Sequence, residues 1–288
     1  MDFRAFQKSS SSSSLHLLLI GDPVAHSLSP IMHNTAAKYH NLPMRYYAVR
    51  IEREELPAFA SYLSEPALKG VNVTIPHKQA LLEYMDNLDP DCEQIGALNT
   101  IAKENGNLVG YNTDIIGFCE PLYQWQSEIE NEPAIVFGTG GAARAIVFGL
   151  KKMGVANVLL VSRNPERKKG ENWPESAKII GYERWPEYAK EAQIFVNATP
   201  LGMEPDINKS PVRENETPFL AEKICYDVVY RPIQTTFLAR AEKVHAKTIG
   251  GLDMLIHQGS RSFELWTGHK FPIDLVRDQL SEYIKYAD

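Results

Sequence analysis

From Leu15 onward, short apolar runs of strand character alternate with amphipathic helical runs, and this alternation constrains the fold more than any other feature. "LHLLLIG", "MRYYAVRI" and "LKGVNVTI" read as strands; "SPIMHNTAAKYHN", "REELPAFASYL" and "KQALLEYMD" read as the helices between and after them. Strands spaced in this way need crossover connections, which implies βαβ units and a mostly parallel sheet covered by helices. "GALNTIAKENGNLVGYNTD" interrupts the pattern with a predicted hairpin turning at Asn105-Gly106-Asn107, because Asn and Gly accept the positive φ of a tight turn. A helix is predicted from about Ile116 to Ser127, followed by the polar connector "SEIENEP".

A second alternating series follows. "AIVFG", "NVLLVSR", "AQIFVNATP", "KICYDVVY" and "AKTIG" read as strands, and "GAARAIVFGLKKMG" and "TTFLARAEKV" as helices. Two amphipathic helices, "LDMLIHQGSRSFELWTG" and "PIDLVRDQLSEYIKYA", end the chain. The expected architecture is two α/β domains with a cleft between them, divided near residue 114, with hinge motion expected near Asp114 and Gly250.

Between the first strand and helix of the second series, "VFGTGGAARA" matches G-x-G-x-x-A through Gly138, Gly140 and Ala143. The first glycine makes a tight turn, the second lets backbone N–H groups approach a pyrophosphate, and the third small residue lets helix and strand pack closely. The helix N-terminus adds unpaired N–H groups and a positive dipole end. In this strand–turn–helix–strand context, residues 115–250 are expected to form a Rossmann-type dinucleotide-binding domain. An NAD site places Asp or Glu at the end of the next strand. Here that strand ends in "SRNPERKK", with Ser162, Arg163 and Asn164 where an acid would stand, and with Arg167, Lys168 and Lys169 close by. A guanidinium suits a 2′-phosphate that a carboxylate would repel. NADP(H) is therefore expected over NAD; a solvated basic turn is the alternative.

Composition narrows the partners. A net charge of −6 argues against a general binder of nucleic acid or membrane surface, both of which need a basic face, and leaves an anionic small molecule open. The 3 cysteines, Cys92, Cys119 and Cys225, are too scattered for a disulfide framework and lack metal spacing, so a reducing cytoplasm is the simplest setting. No apolar run is long enough to span a bilayer. Residues 1–14, which carry the serines Ser9 to Ser14, are expected to be a flexible lead, with an organelle transit remnant as the alternative.

"NVTIPHK" places Lys78 just after a strand. Val71, Val73 and Ile75 alternate as in a half-buried strand, and Pro76 stops it, so Lys78 stands at a strand-to-helix corner. Such corners display reactive side chains in α/β proteins, although a lone lysine there reads equally as a surface residue. Its neighbours decide. "HSLSP" (residues 26–30), "NVTIPHK", "GALNT" (96–100), "GYNTD" (110–114), "FGTGGAARA", "NATPLGM", "YDVVYRP" and "GGLDMLIHQG" occur in that order. Together they closely resemble the shikimate dehydrogenase family, from Leu15 to the C-terminal helices.

The resemblance implies NADPH-dependent, reversible reduction of 3-dehydroshikimate to shikimate in aromatic amino-acid biosynthesis. It implies a substrate-binding domain over residues 15–114, completed by helices within 251–288. Ser27 and Ser29 match the serines that hold the substrate carboxylate, and Thr74, Asn99, Tyr230 and Gln258 match further substrate contacts. Lys78 and Asp114 match the catalytic pair. Gly138, Thr139, Gly140, Gly141 and Ala142, with Ser162, Arg163, Asn164 and Arg167, match cofactor positions, and Thr199, Val228 and Gly251 fall near the nicotinamide. Two departures are visible. The family often has Asn-Arg-Thr where this chain has Ser162-Arg163-Asn164, and commonly Gly where Ile115 follows Asp114.

An amine–carboxylate pair can deliver a proton to the alkoxide left by hydride addition and recover it in reverse. Lys78 is expected either to carry that proton, with Asp114 orienting it and binding a substrate hydroxyl, or to act as an electrostatic anchor. Ser29 also reads as the N-cap of the helix entered at Pro30. Family members that favour quinate tend to alter one of the positions matching Ser27, Ser29 and Thr74, so with all three present the resemblance implies shikimate over quinate. His26, His33 and His77 lie on separate segments without metal spacing and read as structural, so no metal is expected. Two rivals remain: a catabolic quinate/shikimate dehydrogenase, and a non-catalytic metabolite sensor, which should lose Lys78 or Asp114 or carry a DNA-binding extension. The expected oligomeric state is monomer or homodimer.

Overall fold

Every residue of β1 (His16–Gly21) is buried, as in a strand covered on both faces. It lies between two parallel neighbours, β2 (Arg45–Arg50) and β3 (Leu68–Val73). The computed structural model describes residues 1–9, 14–168 and 173–287, and the chain divides into two compact units. The first comprises Met1–Thr113 and Gln258–Leu280; the second comprises Asp114–His257 and the end of the chain from Ser281.

In the first unit, α1 (Phe3–Lys8), α2 (Ser29–Tyr39), α3 (Leu56–Tyr62) and α4 (Pro90–Ile95) accompany a six-stranded sheet. Its order is β2-β1-β3-β5-β6-β4, with β4 at Asn87–Leu88, β5 at Thr100–Glu104 and β6 at Asn107–Tyr111. The predicted hairpin is present: β5 and β6 pair antiparallel across Asn105 (φ 51°) and Gly106 (φ 87°). Leu18, Ile20, Val49, Phe59, Val71 and Ile101 lie in the core on one side of this sheet.

Two expectations fail here. Residues 1–14 are not a flexible lead throughout. Phe3–Lys8 form a helix capped by the Asp2 side chain, which accepts from the Ala5 amide at 2.8 Å. Phe3 and Phe6, one turn apart, are buried in the core, where Phe3 meets Phe59 and Tyr62 edge to face at 5.6 and 5.5 Å. Burying two aromatic rings outweighs the serine-rich composition that follows. Ser10–Ser13 lie outside the described residues. The second failure is the helix predicted over "KQALLEYMD". The Lys78 carbonyl, which a helix would offer to the Leu82 amide, instead accepts from Leu98 at 2.9 Å, and Leu82 donates to Gln79. Only a 3₁₀ turn, Leu82–Tyr84, remains.

The second unit begins with α5 (Asp114–Cys119), a 3₁₀ segment (Glu120–Trp125) and α6 (Gln126–Ile129), where one continuous helix was predicted. Pro121 supplies no N–H and sits at the start of the 3₁₀ segment, where the α pattern breaks. Six strands follow: β7 (Ala134–Phe137), β8 (Val158–Ser162), β9 (Ala177–Gly181), β10 (Ile194–Asn197), β11 (Ile224–Asp227) and β12 (Lys247–Ile249). They pair in the order β12-β11-β10-β7-β8-β9, every pairing parallel. This is the doubly wound dinucleotide-binding order, with its topological switch beside β7. Helices α7 (Gly141–Lys152) and α8 (Thr236–Lys243) belong to this unit, and α9 (Gly251–Thr267) and α10 (Ile273–Ala287) complete the chain. β9 was not anticipated: it is a short edge strand with an exposed Lys178 among its apolar residues. All three cysteines are buried thiols outside any disulfide. Among the described residues, no helix is long and apolar enough to cross a membrane.

Candidate active site

In the first unit, the turn after β1 carries Ser27 and Ser29. The Ser27 hydroxyl donates to the Ser29 hydroxyl at 3.1 Å and accepts from the Ser29 amide at 3.2 Å. The expected capping by Ser29 is therefore reversed. Ser29 is the first residue of α2, Leu28 stands at the cap position without a side-chain hydrogen bond, and Ser27 satisfies the free amide. The two hydroxyls lie together, as binding of one carboxylate requires.

Thr74 and Lys78 follow β3. The Thr74 amide donates to the Ile20 carbonyl at 2.9 Å and its carbonyl accepts from His77 at 3.0 Å, which ties the corner to β1. His77 is buried with Nε2 2.7 Å from the Ile51 carbonyl, so it serves the fold. The Lys78 side chain is half-buried, and the Leu98 amide fixes its backbone. Pro76 keeps the corner from continuing as a strand.

Asn99 is 3% exposed and belongs to a buried polar network. Its Oδ1 accepts from the Thr113 amide at 2.7 Å and its Nδ2 donates to Thr113 Oγ1 at 3.0 Å. Ser262 Oγ lies 2.8 Å from Thr100 Oγ1 and donates to the Gln258 carbonyl at 3.1 Å. Asn72 Nδ2 donates to Ser262 at 3.1 Å and to Thr100 at 3.0 Å, while its Oδ1 accepts from Tyr46 at 2.8 Å. The network thus joins Asn99 and Gln258, two predicted site residues, through Asn72, Thr100, Thr113 and Ser262. Sequence reasoning missed these four: the alternation of Val71 and Val73 places Asn72 on the solvent face of a half-buried strand, whereas in the structure it is buried.

In the second unit, Gly138 ends β7 with φ 108°, a left-handed conformation that disfavours any side chain. A Cβ there would also lie 2.9 Å from the Ala198 carbonyl oxygen and 3.1 Å from Thr199 Cγ2, so the turn runs directly beside Thr199. Gly140 occupies the cap position of α7 without a side-chain hydrogen bond, and a Cβ at Gly140 or Gly141 would meet nothing within 4 Å. Thr139 and Ala142 are half-buried beside them. A twelve-residue helix whose N-terminus has no side-chain cap and an open approach fits a diphosphate.

At the end of β8, Ser162 is 8% exposed and its hydroxyl accepts from the Asn164 amide at 3.2 Å, shaping the turn. Arg163, Asn164 and Arg167 are exposed, and no acid occupies this strand end. These groups fit a 2′-phosphate. The Lys168 side chain and Lys169 lie outside the described residues.

The loops after β10 and β11 carry Thr199, Val228 and Tyr230. Asn197 Oδ1 accepts from the Thr199 amide at 3.1 Å and hydroxyl at 2.6 Å. The Val228 amide donates to the Asn197 carbonyl at 3.0 Å. Gly251 has no room for a side chain: a Cβ would lie 2.3 Å from the Val228 carbonyl oxygen. Thr199, Val228 and Gly251 therefore converge on one region. Tyr230 is half-buried, and burial raises its hydroxyl above the ordinary tyrosine range. Asp114 opens α5 and is half-buried. Sequence reasoning missed Asn197 and Asp227, two buried polar residues at the strand ends beneath these loops.

Known proteins are similar to this chain in sequence and fold. Residues 19–101 match the model of the shikimate dehydrogenase substrate binding domain, and residues 251–280 that of the shikimate 5'-dehydrogenase C-terminal domain. The NADP(+) shikimate dehydrogenase of Nitrosopumilus maritimus is 39% identical over 272 residues, 91% of this chain and 96% of its own. A structure of the Thermus thermophilus shikimate 5-dehydrogenase, in complex with NADP(H) and shikimate, superposes with TM-score 0.82 at 35% identity, covering 94% of this chain and 99% of that one. The quinate dehydrogenase of Corynebacterium glutamicum, in complex with NAD, superposes with TM-score 0.84 at 26% identity, covering 93% and 99%.

Proposed function

The chain belongs to the shikimate dehydrogenase family, and from that premise we propose how its residues divide the work. It is an NADP-dependent oxidoreductase acting on a CH–OH group, interconverting 3-dehydroshikimate and shikimate in aromatic amino-acid biosynthesis. What carries this reading is likeness along almost the whole chain to NADP-dependent relatives, 39% identical over 96% of one of them.

NADP(H), when bound, supplies or accepts the hydride. The residues of the chain do the rest. Ser27 and Ser29 hold the substrate carboxylate with their paired hydroxyls, and Tyr230 is a further substrate contact. Thr74, Asn99 and Gln258 take ring hydroxyls; the network around Asn99 keeps its side-chain amide from rotating away. Lys78 carries the proton to and from the reacting oxygen, and Asp114 accepts a hydrogen bond from a neighbouring hydroxyl and orients the amine. The glycine turn from Gly138 to Ala142 holds the diphosphate, and Ser162, Arg163, Asn164 and Arg167 hold the adenosine 2′-phosphate. Thr199, Val228 and Gly251 border the nicotinamide. We further assign the enzyme to the cytoplasm, as monomer or homodimer.

Absorbance of the reduced nicotinamide tests the reading with shikimate or quinate and NADP+ or NAD+, in all four combinations. Rapid reduction with shikimate and NADP+ alone is expected; preference for quinate and NAD+ would move the chain to the catabolic branch. Lys78→Ala should lower kcat by roughly two orders of magnitude or more, the scale of a lost general acid. An unchanged turnover rate in that variant would remove the proton role, while Asp114→Asn should raise KM for shikimate as well as lower kcat.

A further inference from the structure

Asp227 is fully buried, and among the described residues none of its hydrogen-bond partners is a cation. A carboxylate in that position normally disappears from a fold unless its bonds matter, because desolvating it is costly. Its Oδ1 accepts from Asn197 Nδ2 and from the Val229 amide, both at 2.9 Å, and its Oδ2 accepts from the Thr235 hydroxyl at 2.6 Å.

Each partner leads to a different element. Asn197 Nδ2 also donates to the Leu201 carbonyl at 3.0 Å, and its Oδ1 holds the amide and hydroxyl of Thr199. Every polar group of the Asn197 side chain is thus committed, and Asp227 joins the Leu201 carbonyl and the Thr199 amide in fixing which way the amide faces. The Val229 amide belongs to the loop after β11, one residue beyond Val228, whose other side is pressed against Gly251. Thr235 caps α8, its hydroxyl accepting from Leu238 at 3.3 Å. One carboxylate therefore links the loop after β10, the loop after β11 and the start of α8. Both loops leave the C-terminal edge of a doubly wound parallel sheet, where such folds bind ligands.

We propose that Asp227 is a positioning residue for the nicotinamide end of the cofactor, holding the loops of Thr199 and Val228 in register with each other. The proposal rests on the reading that these loops border the nicotinamide. Asp227 touches neither substrate nor cofactor in this role. It acts through Asn197 and the Val229 amide, so its loss should misplace the reacting end while leaving the adenosine half undisturbed. The 2′-phosphate of that half is assigned to the end of β8, which takes part in none of the Asp227 hydrogen bonds.

The test compares Asp227→Ala, Asp227→Asn and Thr235→Val with wild type in three measurements. These are kcat and KM for NADP+ with shikimate, the affinity for adenosine 2′,5′-bisphosphate, and the melting temperature. Asp227→Ala should lower kcat roughly ten- to hundredfold, the scale of a misplacement near 1 Å, while adenosine 2′,5′-bisphosphate binds within about twofold of wild type, too small a change to imply a new contact. Thr235→Val, which keeps the shape and removes one donor, should fall between, and Thr235→Ser should restore activity. Unchanged kcat in Asp227→Ala and Thr235→Val overturns the proposal alone. Parallel loss of turnover and bisphosphate affinity across the variants also overturns it, since that is the mark of general unfolding. Wild-type protein inactive with shikimate and NADP+ would overturn the underlying reading and this proposal with it.

Discussion

His33 shows how far burial can move one side chain. It is fully buried, its ring stacked on Tyr46 at 4.4 Å and 13°, and neither ring nitrogen makes a hydrogen bond among the described residues. Burial holds its pKa at about 3, offset in part by the nearby Asn72 side chain. The folded protein therefore excludes a proton that the unfolded chain binds below its ordinary value of 6.5. The stability carried by the neutral ring is complete above that value and is lost as pH falls from 6.5 towards 3, by about 1.4 kcal/mol per pH unit. His33→Phe keeps the stacked ring and removes the titration. Its urea midpoint relative to wild type should rise steadily between pH 7 and pH 5; a constant difference across that range would show that His33 does not titrate this way. Asp227 moves in the opposite sense, raised to about 6 chiefly by burial and held from going higher by its three hydrogen bonds.

Elements that depend on local pattern were legible in the chain. The strand–helix alternation located β1 to β3 and the parallel series from β7, because apolar spacing reflects burial directly. The Asn105-Gly106 turn and the glycine turn at Gly138 were legible because each demands residues that tolerate positive φ. The site residues followed from motifs, but the residues that hold them did not. Asn72 pairs with Ser262 and Asn197 with Asp227 across 190 and 30 residues, and nothing near either in the chain announces those partners. The missing helix after Lys78 has the same cause, since the amide of Leu98, twenty residues on, takes the Lys78 carbonyl. The end of β8 yields a prediction at this scale. Ser162→Asp combined with Arg163→Ala places a carboxylate where ribose hydroxyls are expected and removes a phosphate partner. The ratio of kcat/KM for NADP+ over NAD+ should fall by roughly tenfold or more, a change of about 1.4 kcal/mol, with KM for shikimate little altered. An unmoved ratio would place the 2′-phosphate elsewhere.

At the scale of the whole molecule, the described residues form two sheets, each with its own hydrophobic core. The first core extends to the start of the chain through Phe3 and Phe6, which the serine-rich composition hid from sequence reasoning. Phe6→Ala should cost about 3–5 kcal/mol, the range for a buried aromatic ring. Hydrogen exchange should then quicken in β1 and β2, whose Tyr47 and His16 rings pack on Phe6 at 5.5 and 5.2 Å. Unaltered protection in those strands would mean that α1 is an ornament. The three cysteine thiols have a different consequence. All are buried, and burial raises the Cys92 thiol to about 12 and the Cys225 thiol further, leaving little thiolate to attack an electrophile. The native protein should be silent to maleimide dyes, and its thiols should appear only on denaturation. Glu54→Cys, at an exposed position, would then create a single labelling handle on an otherwise unaltered background, with no native cysteine to remove first.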